Sequence, residues 1–125
     1  MTTYATVGTN DPAKAVPFYE ELLGKAGMTK YFDHPNGGAL FGKDGKTRFG
    51  VLGPFDGNPA TVGNGTMVGF ELDSREDVCD FHAKALELGG TNEGDPGLRG
   101  PEEMGFYFSY FRDLDGNKLC AFKLG

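Results

Sequence analysis

Residues 4–23 read YATVGTNDPAKAVPFYEELL, and a change of period inside this stretch decides how the chain folds. Thr3 to Thr9 (TYATVGT) is rich in β-formers. Extended, it puts Tyr4, Thr6 and Gly8 on one face and Ala5 and Val7 on the other. Asn10-Asp11-Pro12 then supplies a choice of helix N-caps followed by a proline tolerated in the first turn. From Ala13 the apolar residues fall three or four apart: Val16, Tyr19, Leu23 and Ala26, widened by Phe18 and Leu22. Gly27 provides a left-handed stop.

Short β-compatible segments follow at Thr29–Phe32, Ala39–Gly42 and Arg48–Leu52, the last two joined by Lys43-Asp44-Gly45-Lys46, a strong hairpin signal. Residues 54–65 (PFDGNPATVGNG) are a Gly/Pro/Asn-rich connector. The same order then returns. Thr66–Leu72 reads as a strand, and Ser74-Arg75-Glu76-Asp77 resembles a capping box. A helix carries Val78, Phe81, His82, Ala85 and Leu88 on one face and ends at Gly89-Gly90. A turn-rich loop spans Asp95 to Gly105. Phe106–Arg112 and Lys118–Leu124 flank a second Asp-Gly turn.

The halves superpose at an offset of 63 residues, which lays Tyr4 on Met67, Val7 on Phe70, Phe18 on Phe81, Leu23 on Leu86 and Gly27 on Gly90. Matched strand, helix, cap and hairpin in one order point to an internal duplication. The expected organisation is one domain of two modules, residues 1–53 and 66–125, joined by connector 54–65. A half of about 60 residues is marginal alone, so the modules are expected to bury their sheets against each other with a pocket between them.

Composition narrows the function. The chain has 125 residues, 38% hydrophobic, enough for a core. Its 12 Lys+Arg against 18 Asp+Glu give a net charge of -6, which repels phosphate backbones, so no nucleic-acid partner is expected. No apolar run approaches the roughly 20 residues of a membrane-spanning helix, and no leader precedes Tyr4, so the expectation is a cytoplasmic protein without a membrane partner. The two cysteines, Cys79 and Cys120, form no CxxC pair. Gly45-Lys46-Thr47 ends like a P-loop but lacks the leading glycine, with Leu40 in its place.

The tandem strand–helix–three-strand unit resembles the vicinal oxygen chelate superfamily, which holds glyoxalase I, bleomycin-resistance proteins and extradiol dioxygenases. The opening quoted above carries the resemblance together with the closing FYFSYFRDLDGNKLCAF, residues 106–122. That closing stretch is similar to the family's Phe-x-Asp-Pro-Asp-Gly-Asn hairpin, with Leu114 in the proline position. The resemblance implies an α+β fold of two βαβββ modules in tandem, whose curved mixed sheets form a cleft often completed by a homodimer.

The family's metal-dependent members use one side chain on the opening strand and one on the last strand of each module, usually His or Glu. Carried over by position, these are Tyr4 and Met67 on the opening strands, Cys120 on the last, and Phe49 or Gly50 on its counterpart. A hard catalytic cation needs oxygen or imidazole donors, and this set does not supply them. The expectation is therefore no metal and no other cofactor.

The alternation places Tyr4 and Thr6, and likewise Met67 and Glu71, on the cleft face; Cys120 and Phe122 join them if the final strand keeps phase. With Phe49 these form the candidate ligand-binding set for a small organic molecule, and the acidic balance suits a cationic guest. No catalytic residue is assigned, and whether the protein is an enzyme stays open. The alternative is a metal-dependent lyase, isomerase or dioxygenase with displaced ligands drawn from His34, His82, Glu71, Glu102 or Glu103. Cys120, lacking a placed histidine to activate it, reads better as an inert thiol.

Overall fold

The computed structural model describes residues 1–125. The chain runs β1 (Ala5–Gly8), α1 (Pro12–Gly24), β2 (Thr29–Asp33), β3 (Gly38–Lys43), β4 (Lys46–Leu52), β5 (Val68–Glu71), α2 (Arg75–Glu87), β6 (Thr91–Leu98), β7 (Phe106–Arg112) and β8 (Lys118–Leu124), with one 3-10 turn at Glu102–Met104. The strands make two four-stranded sheets, ordered β1-β4-β3-β2 and β5-β8-β7-β6. In each, the opening strand is parallel to the last strand and the other pairs are antiparallel. This is the α+β, tandem βαβββ fold. Two compact units result, Met1–Gly63 and Asn64–Gly125. No helix is long and apolar enough to cross a membrane.

The helices form where the period changes, with adjustments. On α1 the buried stripe is Ala15, Phe18, Tyr19, Leu22 and Leu23. It is turned toward the bulkier residues from the expected Val16–Tyr19–Leu23–Ala26 line, whose ends are only half-buried. α2 buries Val78, Phe81, His82 and Ala85. Ser74 caps α2, its Oγ accepting from the Asp77 amide at 3.0 Å. Asp11 occupies the same place before α1 without a side-chain cap bond. There Thr9 Oγ1 accepts the Asp11 amide at 3.0 Å instead.

Both helices close with the same pair of backbone bonds, Gly27 to Gly24 and Met28 to Leu23 in one, Gly89 to Leu86 and Gly90 to Ala85 in the other. The left-handed residues are Gly27 and Gly89. The equivalence of Gly27 with Gly90 therefore shifts by one, because the last turn of the first module is one residue longer.

The two hairpins are built differently. Asp44 and Gly45 have φ of 55° and 75°, the two-residue turn whose twist suits antiparallel strands. Tyr31 Oη accepts the Gly45 amide at 2.9 Å. In the second module a five-residue loop is organised by the buried Asp113, whose carboxylate accepts from the amides of Asp115 and Asn117 and from Asn117 Nδ2, each at 2.9 Å.

One strand departs from expectation. β6 runs through Asp95-Pro96-Gly97, which the sequence marks as loop. It is an edge strand, its register with β7 shifts twice, and those bulges accommodate the proline and the glycines.

Candidate functional site

Strand register sorts the side chains of each sheet into a helix side and a helix-free side. In the first module Ala5 pairs with Phe49 and Val7 with Val51. Phe41 pairs with Phe49 and Ala39 with Val51. These residues share the side covered by α1, where the Phe49 ring lies 5.0 Å from that of Tyr19. In the second module Val68 pairs with Leu119 and Phe70 with Ala121. Phe70 and Phe111 both pack on Phe81 of α2, at 5.5 and 6.0 Å.

The register also settles which residue of β4 corresponds to Cys120. Thr6 pairs with Gly50, and Gly69 pairs with Cys120, so Gly50 and not Phe49 is the counterpart. Phe49 is a core residue on the helix side and does not share a face with Thr6. The sequence could not choose because a one-residue slip exchanges the faces of a strand. The helix-free face of the first module is thus Thr6, Gly38, Leu40, Gly50 and Leu52, and that of the second is Gly69, Phe108, Tyr110, Cys120 and Phe122. Glu71 pairs with Phe122 and is exposed on the same face. Tyr4 and Met67 stand just before the opening strands, 60% and 43% exposed.

Phe108, Tyr110 and part of Phe122's neighbourhood were not among the residues singled out from sequence, although alternation along Phe106–Arg112 carried the signal. Their rings form a row. Phe108 and Phe122 stack at 5.0 Å and 9°, Phe108 and Tyr110 at 6.0 Å and 16°. All three are half-buried. Lys118 Nζ lies 5.4 Å and the Arg99 guanidinium 5.5 Å from the Tyr110 ring centre. Arg99 also donates to the Asp95 carbonyl at 2.7 Å, which holds it in place. Cys120 sits beneath this row, 1% exposed. Its thiol fills space left by Gly69, where a Cβ would be 3.0 Å from Sγ and 3.1 Å from Phe122 Cε1.

Burial pushes the Cys120 thiol up to about 11, with Lys118 opposing it, so it is protonated at neutral pH. A protonated, covered thiol is a poor nucleophile and a poor metal ligand. Gly50 offers no side-chain donor, Met67 only a soft thioether, and Tyr4 a lone phenol oxygen. The donors present at the family's metal positions therefore do not fit a hard divalent ion. No three His, Cys, Asp or Glu side chains come together to hold an ion. His82 is buried against Phe111, ring centres 5.9 Å apart. Neither of its nitrogens has a hydrogen-bond partner.

Comparison with known proteins agrees with this geometry at the level of fold. The sequence profile of the Glyoxalase/Bleomycin resistance protein/Dioxygenase superfamily matches residues 3–121. A glyoxalase/bleomycin resistance protein from Albidiferax ferrireducens T118 is similar at 37% identity and a TM-score of 0.86, over 98% of each chain. A superfamily member from Sphaerobacter thermophilus DSM 20745 has 24% identity and a TM-score of 0.65, over 98% of this chain and 96% of that one. A lactoylglutathione lyase from Agrobacterium tumefaciens has 19% identity and a TM-score of 0.70, over 98% and 92%. No curated protein matches the chain. With nearly the whole sequence matched and the tandem βαβββ register in place, the chain belongs to the glyoxalase/bleomycin resistance protein/dioxygenase superfamily.

Proposed function

We propose that this protein binds a small planar organic molecule against the helix-free face of its second sheet, without a metal at its family's usual positions. The observation that carries the reading is the half-buried row Phe122–Phe108–Tyr110 with two cations over its Tyr110 end. Aromatic rings provide dispersion and apolar contact in a fixed geometry, and a few polar groups at the edge set orientation. The charges local to this face are Lys118, Arg99, the exposed Glu71 and the ion pair of Arg112 with Glu93, whose carboxylate also feels Lys118. An aromatic carboxylate or other planar anion suits the end of the row that carries the two cations. The net acidity of the chain thus misdirects the choice of guest here, because the charge that matters is local.

Calorimetric titration with naphthoate tests the reading. Binding is expected, and Phe122→Ala is expected to weaken it about tenfold, the scale of one aromatic contact. Lys118→Gln should weaken naphthoate by about threefold while leaving an uncharged naphthyl alcohol unchanged. Equal affinity of both probes for the parent protein and both variants would overturn the assignment.

A further inference from the structure

A second hollow lies in the first module, at the C-terminal ends of β1 and β4. It has a volume of about 530 Å³, within the range of small-molecule sites. Thr6 to Gly8, the β2–β3 turn at His34 and Asn36, and the connector after Leu52 make its walls.

The connector is tied down rather than loose. Asn10 and Ala60 exchange two hydrogen bonds, the Ala60 amide donating to Asn10 Oδ1 at 2.6 Å and Asn10 Nδ2 to the Ala60 carbonyl at 3.0 Å. The Gly53 amide donates to the Gly37 carbonyl at 3.1 Å, and Gly57 to Pro54 at 3.1 Å. Asp56 accepts from the Asn58 amide at 2.9 Å and from Asn58 Nδ2 at 3.2 Å. A wall fixed in advance loses little freedom when a guest enters.

Its charge is opposite to that of the second-module face. Asp56 is the only acidic side chain among the lining residues, and no lysine or arginine joins it. His34 Nδ1 accepts the Asn36 amide at 3.1 Å. Phe55 borders the hollow and is 93% exposed, the most exposed aromatic residue of the protein. A carboxylate beside an uncovered ring, next to Leu52 and Pro54, is a combination that attracts a cation with an apolar body.

We infer that this hollow binds a small organic cation, an alkyl- or arylammonium ion whose charge faces Asp56 and whose apolar part covers Phe55. The inference stands apart from the second-module reading: the probes carry opposite charge and report on different residues.

The test is a backbone amide titration of the isotope-labelled full chain with benzyltrimethylammonium. Saturable shifts are expected at residues 6–8, 34–36 and 52–61 below about 10 mM probe. Asp56→Asn keeps an acceptor for the Asn58 amide and is expected to weaken the cation about fivefold. Phe55→Ala is expected to weaken it about fivefold as well, with the rest of the amide spectrum in place. Benzoate should leave these residues unmoved. Absence of saturation, benzoate shifting the same amides equally, or Asp56→Asn binding as tightly as the parent would each overturn the inference.

Discussion

In the first module the helix-free face is built from Thr6, Gly38, Leu40, Gly50 and Leu52; at the same register positions the second holds Gly69, Phe108, Tyr110, Cys120 and Phe122. The helix sides differ far less, with Phe41 answering Phe111, Val51 answering Ala121 and Phe18 answering Phe81. The core against the helix fixes the backbone, and the opposite face is then free to carry chemistry. Even the small residues are exchanged. Gly50 on β4 leaves space for Thr6 and Leu40, each 3.2 Å from where its Cβ would be, whereas Gly69 on β5 leaves space for Cys120 and Phe122. One scaffold thus holds an aliphatic, glycine-rich face in one copy and an aromatic one in the other.

The largest expected effect tests whether those positions can be exchanged. Gly38 has φ of 99°, and a Cβ there would lie 2.0 Å from the Val51 carbonyl oxygen. Gly38→Ala is expected to destabilise the protein by about 3 kcal/mol or more in urea unfolding. A change below about 1 kcal/mol would mean that the first face can be rebuilt like the second.

Next is the middle of the aromatic row. Phe108→Ala removes the ring that touches both neighbours and is expected to cost about 2 kcal/mol of stability, with loss of naphthoate binding. Stability and binding both unchanged would remove the distinction between the two faces.

A third effect comes from the helix side, where Tyr19 of α1 is answered by His82 of α2, 4% exposed. Burial holds the His82 pKa below its ordinary 6.5, opposed in smaller measure by the Asn92 amide and the Asp95 charge. The folded state thus binds fewer protons than the unfolded one on the acid side of that value. Its contribution is complete above about pH 6.5 and declines as pH falls from there toward the lower folded value. His82→Phe removes two unpaired buried nitrogens and is expected to raise stability by about 1 kcal/mol at pH 5.5 and flatten that acid slope. An unchanged slope would locate the acid sensitivity elsewhere.

The smallest effect is chemical. Cys79 is exposed and Cys120 buried. A thiol reagent at neutral pH is expected to modify Cys79 alone in the native protein, and Cys120 only after denaturation. Prompt labelling of both would contradict the account of Cys120 as a covered, protonated thiol.

Much of this was legible in the sequence. The period change after Asn10, the Asp44-Gly45 turn and the repeated helix ends set the order of every element but β6, because each rests on local chemistry. The family resemblance came from the opening and closing stretches. Other features depended on pairing between distant strands, which local pattern does not encode. Phe49 could be assigned to the core only once its partner was known to be Ala5. β6 was hidden because Pro96, Gly94 and Gly97 are turn residues locally and bulge residues in an edge strand. The connector's wall likewise depends on Asn10 meeting Ala60 across 50 residues of sequence.

A shared register presents two different faces, and we propose that the aromatic one is the recognition surface for a planar anion. Residue-resolved amide shifts on adding naphthoate test it most directly. Saturable shifts are expected at Phe108, Tyr110, Lys118 and Phe122, with Thr6, Leu40 and Gly50 unmoved. Shifts of equal size on both faces, or confined to the first, would contradict it.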